Sequence, residues 1–278
     1  MPLLDKEEYV EQAYFFRSLN ERMSPEQPIQ QLMEMVRQEI LATTNLPKAI
    51  DFILAEVNHA GTMASAMSRL SHYFSSFQVF LISSAEEEKG RFDIRMAFRI
   101  LEHEAKCRAE QIDAIAMFMF QFESLCRNRL EYDHGLAAMS MDPIYSKKWA
   151  TWLLDVRHKI GIVDLADLIY VHSEFYRQNA ERLNIREAER PKRILFGEKE
   201  GRIALANRGK DPLYLFSALQ RQLGYPAVPR PEKVVEKEEL LEKLQRIVGR
   251  LEIRLKLLED EQREKGIDLS QFYEGPKP

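Results

Sequence analysis

Along most of this chain, apolar residues recur three and four positions apart, and strand-like alternation is nearly absent. That spacing gathers side chains on one face of an α-helix. A first helix is predicted over 5–22. Ser24-Pro25-Glu26-Gln27 reads as a capping box with proline at the first helical position, opening a second helix to about Ala42. Pro47 starts a third, which Gly61 ends. Met63, Met67, Leu70 and Phe74 stripe a fourth over 62–74. Residues 76–88 and 91–109 read as two helices, or one kinked at Gly90. Residues 112–131 form a strongly apolar helix, with Gly135 as its break. Asp142-Pro143 opens a helix to about Ile160, and Gly161 separates it from another over 162–183.

The pattern changes after Leu183. "RILF-GEKEG-RIALA", residues 193–206, has two short apolar runs around a glycine-flanked turn and predicts a small β-hairpin. Asp211-Pro212 then caps a short helix that ends near Gly224. "YPAVPRP", residues 225–231, reads as a stiff extended linker.

The last element, 232–265, is the most regular. Leu241, Leu244, Val248, Leu251, Leu255 and Leu258 alternate three and four apart, the a and d seam of a coiled coil. Leu240 and Ile247 add a second apolar row at g. Arg254 at g and Glu259 at the next e are placed to pair across a parallel dimer. Lys237 and Lys265 at d, with Gln262 at a, bound the seam. A strict dimer needs only a and d, so the widened face suggests a higher oligomer or packing against the chain's own body, and the expected partner is another protein or further copies of this chain.

The expected fold is therefore all-α: a multi-helix bundle, a connector containing a small β-hairpin, and a C-terminal coiled-coil-like helix. The expected organisation is a helical body over 1–185, a basic connector over 186–231, and the heptad helix with its tail over 232–278.

Composition supports a packed core, with 45% hydrophobic and 30% charged residues in 278. The formal net charge of −4 removes a bulk drive toward nucleic acid or anionic membrane. One local exception is 182–210, with nine Lys or Arg against four Glu. Arg190, Lys192, Arg193, Arg202, Arg208 and Lys210 are its anion-binding candidates, with little aromatic interleaving. The longest apolar run, "AIAMFMF" at 114–120, is far short of the roughly 20 residues a bilayer needs. "MPLLDKEEYV" at the start lacks the basic and apolar regions of a signal peptide. Cys107 and Cys126 suggest neither a disulfide framework nor a zinc site, so a cytoplasmic, reducing compartment is expected.

Two Glu-x-x-His pairs raise the question of a metal. Glu56/His59 and Glu131/His134 each put a carboxylate and an imidazole on one helical face. Two such pairs plus two lone glutamates, here Glu39 and Glu88, are the ligand set of di-iron carboxylate bundles; the agreement is in spacing alone. Six histidines among 32 glutamates give roughly 0.7 such matches by chance. On helical wheels, His59 and Glu131 lie nearly opposite their helices' apolar stripes, so both pairs are expected to face mostly solvent. His103 and His172 instead face inward, and are expected to bond a backbone carbonyl or hydroxyl. Asp164, Asp167 and Glu174 read as a solvated face. No glycine-rich phosphate loop or Gly-x-Ser-x-Gly nucleophile elbow is present. No cofactor is implied.

The function expected from the sequence is a non-enzymatic helical scaffold or adaptor, acting through self-association or partner binding by the heptad helix. The alternative is a helical-bundle metalloprotein or oxidoreductase built on Glu56, His59, Glu131 and His134. A third class is a binder of anionic ligands or nucleic acid through 182–210.

Overall fold

A computed structural model describes residues 3–24, 27–59, 61–87, 92–182, 193–230, 245 and 247–256. The chain divides into two compact units, Met1–Arg230 and Pro231–Pro278. The fold is all-α. Among the described residues there is no sheet, only isolated bridges between Ile160 and Val163 and between Ser173 and Phe196. No described helix is long and apolar enough to cross a membrane.

The first unit is organised around two helices, α6 (Ile94–Ala109) and α7 (Ala114–Asn128). Both are buried on most of their circumference. Met96, Phe98, Ile100 and Leu101 of α6 and Met117, Phe118, Phe120, Phe122 and Leu125 of α7 all lie in the core. Asp113 caps α7 by accepting a hydrogen bond from Ala116 N at 2.7 Å. The first helix, α1 (Lys6–Arg22), makes the most extensive helix pairing of the fold, against α6. Glu7 and Glu8 in its first turn and Arg22 in its last complement the helix dipole. Its Phe16 stacks on Phe98 with ring centroids 6.3 Å apart.

Between α1 and α6 run α2 (Ile29–Glu39), α3 (Leu46–Asn58), α4 (Met63–Arg69) and α5 (Ser76–Glu86). The second helix starts after Pro28, later than the Ser24-Pro25 signal predicted. The capping box of this region lies instead at α5. There Ser75 Oγ accepts from Gln78 N at 3.3 Å, and Gln78 Oε1 accepts from Ser75 N at 3.0 Å.

The C-terminal half of the unit departs from the predicted boundaries in instructive ways. α7 ends at Arg129, which takes a left-handed conformation (φ 52°). Gly135 is no break; it sits inside α8 (Tyr132–Ser140), where an added Cβ would come 2.8 Å from the Leu125 methyl carbons. Glycine there lets α8 pass close over the end of α7. Asp142-Pro143 does not open a helix directly. Its carboxylate is drawn into the core, and α9 starts later, at Lys147–Arg157.

The predicted helix over 162–183 is two, α10 (Leu165–Val171) and α11 (Glu174–Arg182). The chain breaks at His172-Ser173 because segment 193–196 pairs there. His172 O accepts from Leu195 N (2.9 Å) and Phe196 N (3.2 Å), and Glu174 N donates to Phe196 O (3.0 Å). The predicted hairpin is corrected accordingly. Its first run is this short extended pairing, and its second run is helical, α12 (Glu198–Ala206). Phe196 enters an aromatic cluster instead of a hairpin. Phe118 lies 5.6, 5.1 and 5.9 Å from Trp149, Trp152 and Phe196, centroid to centroid. Each such ring, fully buried, contributes roughly 1.5–3 kcal/mol of transfer free energy.

The last helix of the unit, α13 (Pro212–Leu223), follows its sequence signals. Asp211 caps it, Pro212 opens it, and Gly224 ends it with φ 71°. The proline-rich stretch after it is no free linker over 225–230. Val228 is buried in the core, and Tyr225 donates to Glu200 Oε1 at 2.6 Å. Phe196, Ile203, Leu215 and Phe216 share the core of the first unit with α6 and α7.

Candidate functional site

The described part of the second unit, Gln245 and residues 247–256, is helical. Its seam residues Val248, Leu251 and Leu255 are 50%, 54% and 57% exposed, and Ile247 at g is 54% exposed. Ile253, on the far side at f, is also exposed. Leu241, Leu244 and Leu258 of the same seam lie outside the described residues. An apolar row of this kind, with charged Arg250, Glu252, Arg254 and Lys256 around it, is the geometry that helix-on-helix association uses.

The Glu-x-x-His pairs have other partners. Glu56 is ion-paired with Arg69, and His59 is the exposed C-cap of α3. Glu131 is the N-cap residue of α8, and His134 Nδ1 donates to Glu131 Oε2 at 2.7 Å with both side chains more than half exposed. That hydrogen bond raises the His134 pKa above the ordinary imidazole value. Glu39 is engaged by Arg22 and Tyr14, which hold its carboxyl down to about 2, and Glu88 lies outside the described residues. No group of three or more His, Cys, Asp or Glu among the described residues could hold a metal ion.

The basic segment is similarly occupied. Arg193 pairs with Asp155 at 2.7 Å and Arg202 with Glu198 at 2.6 Å. Arg208 pairs with Asp167 and lies over the Tyr170 ring, and Lys210 Nζ donates to Ala206 O at 2.9 Å. Arg190 and Lys192 lie outside the described residues. Asp167 is thus a partner of the basic segment, and Asp164 accepts from Gly209 N.

The inward histidines meet backbone carbonyls one turn back. His103 Nδ1 donates to Arg99 O and His172 Nδ1 to Leu168 O, each at 2.8 Å. Burial against the edge of Trp152 lowers the His172 pKa. Cys107, beside His103 on α6, is buried. Desolvation first, then the Glu104 charge, push its thiol up to about 12, far from a nucleophile's range.

The sequence reading missed the most unusual feature of the body, a buried charged network. Arg108 on α6 donates to Glu104 Oε1 at 2.7 Å and to both carboxylate oxygens of Asp142. Gln121 of α7 donates to Glu104 Oε1 and to Asp142 Oδ2, both at 3.1 Å, and accepts from Tyr145 OH at 2.6 Å. The Arg108 side chain is 2% exposed, and those of Glu104 and Asp142 are 0% exposed. Burial alone works against the guanidinium charge, but Glu104 and Asp142 outweigh it and hold Arg108 firmly protonated. Burial keeps the Tyr145 phenol a neutral donor, its pKa well above the usual value. One cation thus ties α6, α7 and the turn before α9 together. Only the i,i+4 spacing of Glu104 and Arg108 is visible in sequence, and that spacing usually marks a solvated face.

One open cleft of about 660 Å³ lies along the outer side of α1, against the end of α2 and the last turn of α6. Its walls mix Val10, Tyr14 and Leu41 with Arg17, Lys106 and Glu110. Two of its carboxylates are committed within the fold, Glu39 as above and Glu11 to Leu41 N at 3.2 Å.

Compared with protein-family models, with curated proteins and with solved structures, this chain gives no match.

Proposed function

We propose that this chain is a helical interaction protein, a scaffold or adaptor whose folded body carries a heptad helix that engages another helix. The observation that carries this reading is the exposure of Ile247, Val248, Leu251 and Leu255 on one helical segment. Side chains of this type gain roughly 25 cal/mol for each Å² of apolar surface removed from water, so a complementary helix has a standing drive to cover them. In the body, Glu56, Glu131, Arg193, Arg202 and Arg208 are each engaged in a pair within the fold.

The test replaces Leu251 and Leu255 with Asp in the full chain. Association, read as solution mass above one chain or as a stoichiometric helical partner, is expected to disappear. Thermal melting of the body is expected to stay where it was. Association that survives both replacements would sink the reading.

A further inference from the structure

We infer that the open cleft along α1 is a binding site for a single-chain amphiphile with an anionic head, of the class of the long-chain carboxylates. The site lies wholly in the first unit and does not involve the heptad helix. Its floor is the outer face of α1. Lys6, Val10, Ala13 and Arg17 recur four, three and four apart, so one helical face presents them in a row. Arg17 is eleven positions after Lys6, about 16 Å along the axis. Extended dodecanoate matches that length. One wall carries Leu41, just past α2, and the other carries Lys106 and Ala109 at the end of α6. The middle of the row is apolar. Val10 is 48% exposed and Leu41 is 55% exposed, although both line a concave surface. An alkyl chain laid over them gains with each CH₂ removed from water.

The two ends differ in charge. Phe16 stacks on Phe98 and Arg108 lies 5.9 Å over the Tyr9 ring, so α1 and α6 run antiparallel. The start of α1 therefore lies beside the end of α6, and Lys6 shares its end of the cleft with Glu110. Lys106 is already paired with Glu102 at 2.5 Å. That end is balanced. At the other end, Arg22 and Tyr14 engage both carboxylate oxygens of Glu39. Arg17 lies 5.4 Å over the Tyr14 ring and has no carboxylate partner among the described residues. Arg17 and Arg22 against Glu39 leave one positive charge in excess. The ring steadies the Arg17 guanidinium from one side, and its planar fork of N–H donors stays open. A carboxylate meets such a fork with two parallel hydrogen bonds. The amphiphile therefore lies one way round, with its head at Arg17 and its chain over Val10, Ala13 and Leu41. A cationic head would meet like charge there, and an uncharged chain would leave Arg17 unpaired.

The experiment titrates dodecanoate into the full chain by calorimetry, below the concentration at which dodecanoate forms micelles. One saturable site is expected. Hexanoate keeps the head without the length, and dodecyltrimethylammonium keeps the length with the opposite charge. Each is expected to bind weaker by about tenfold or more. These probes are compared on the natural chain, so the reading is tested even where a variant misfolds. Arg17→Ala is expected to weaken dodecanoate about tenfold, through loss of the charge-assisted pair. Val10→Glu, which sets a carboxylate on the track of the chain, is expected to weaken it as well. Leu251→Asp with Leu255→Asp is expected to leave it unchanged. The absence of a saturable site overturns the proposal, and so does equal affinity for dodecyltrimethylammonium or for the Arg17→Ala chain. Binding lost with the Leu251 and Leu255 replacements would place the amphiphile on the heptad helix and overturn the cleft as its site. A solution mass that falls on Val10→Glu would make this face a contact between copies, and a cleft that takes a partner's acidic helix but no dodecanoate would make it a protein site; either overturns the small ligand.

Discussion

Arg108 shows how much of this body depends on single buried side chains. It is the cation for two carboxylates that water does not reach. A buried ion pair adds little net stability, yet removing one member leaves charge without compensation. Arg108→Met should therefore cost about 3–5 kcal/mol, read from urea unfolding. Adding Glu104→Gln and Asp142→Asn to that variant should recover part of the loss. A cost for Arg108→Met within the range of ordinary surface changes would show that the network is dispensable. His172 gives a second prediction at this scale. Its folded pKa is lowered by burial, so below about 6.5 the unfolded chain takes up a proton that the folded chain resists. Stability should then rise with pH across that window and fall as the solution is acidified. His134, raised by Glu131, acts with the opposite sign. The measurement is therefore the difference between the natural chain and His172→Gln at pH 7.5 and pH 5.5. An unchanged slope in the variant would remove His172 from the account.

At the scale of elements, helix existence was legible and helix ends were less so. α1, α5 and α13 lie close to their predicted spans, and for α13 the boundaries carry the signals that were read, Asp211-Pro212 and Gly224. α7 ended out of view because Arg129, and not a glycine, takes the left-handed position. The long helix predicted over 162–183 broke because Ser173 pairs with Phe196, a residue well separated in sequence. The false hairpin has the same origin. "RIALA" has apolar content that suits a strand or a helix, and only the packing of Ile203 and Ala204 into the core decides between them. Gly201 makes the junction testable. A Cβ there would lie 2.1 Å from Ser173 Oγ and 2.9 Å from Phe175 Cβ. Gly201→Ala should lose about 1–3 kcal/mol through overpacking, despite alanine's better helix propensity. A variant more stable than the natural chain in chemical denaturation would show that α12 does not seat so closely.

At the scale of the whole molecule, the all-α class and the separate character of the C-terminal segment were legible in the sequence. They rest on periodicity, which is a property of neighbouring residues. The line predicted near residue 185 has no counterpart in the packing, since α12, α13 and Val228 share the core of the first unit with α6 and α7. The heptad spacing behind the proposed function is read from the sequence alone, because it is a property of neighbouring residues. The fate of the body's polar residues was not. Whether Glu104 and Arg108 face water or one another in a dry core depends on Asp142, Gln121 and Tyr145 arriving from other helices and turns. A helical wheel gives one face of one helix. Only tertiary structure decides what covers the others.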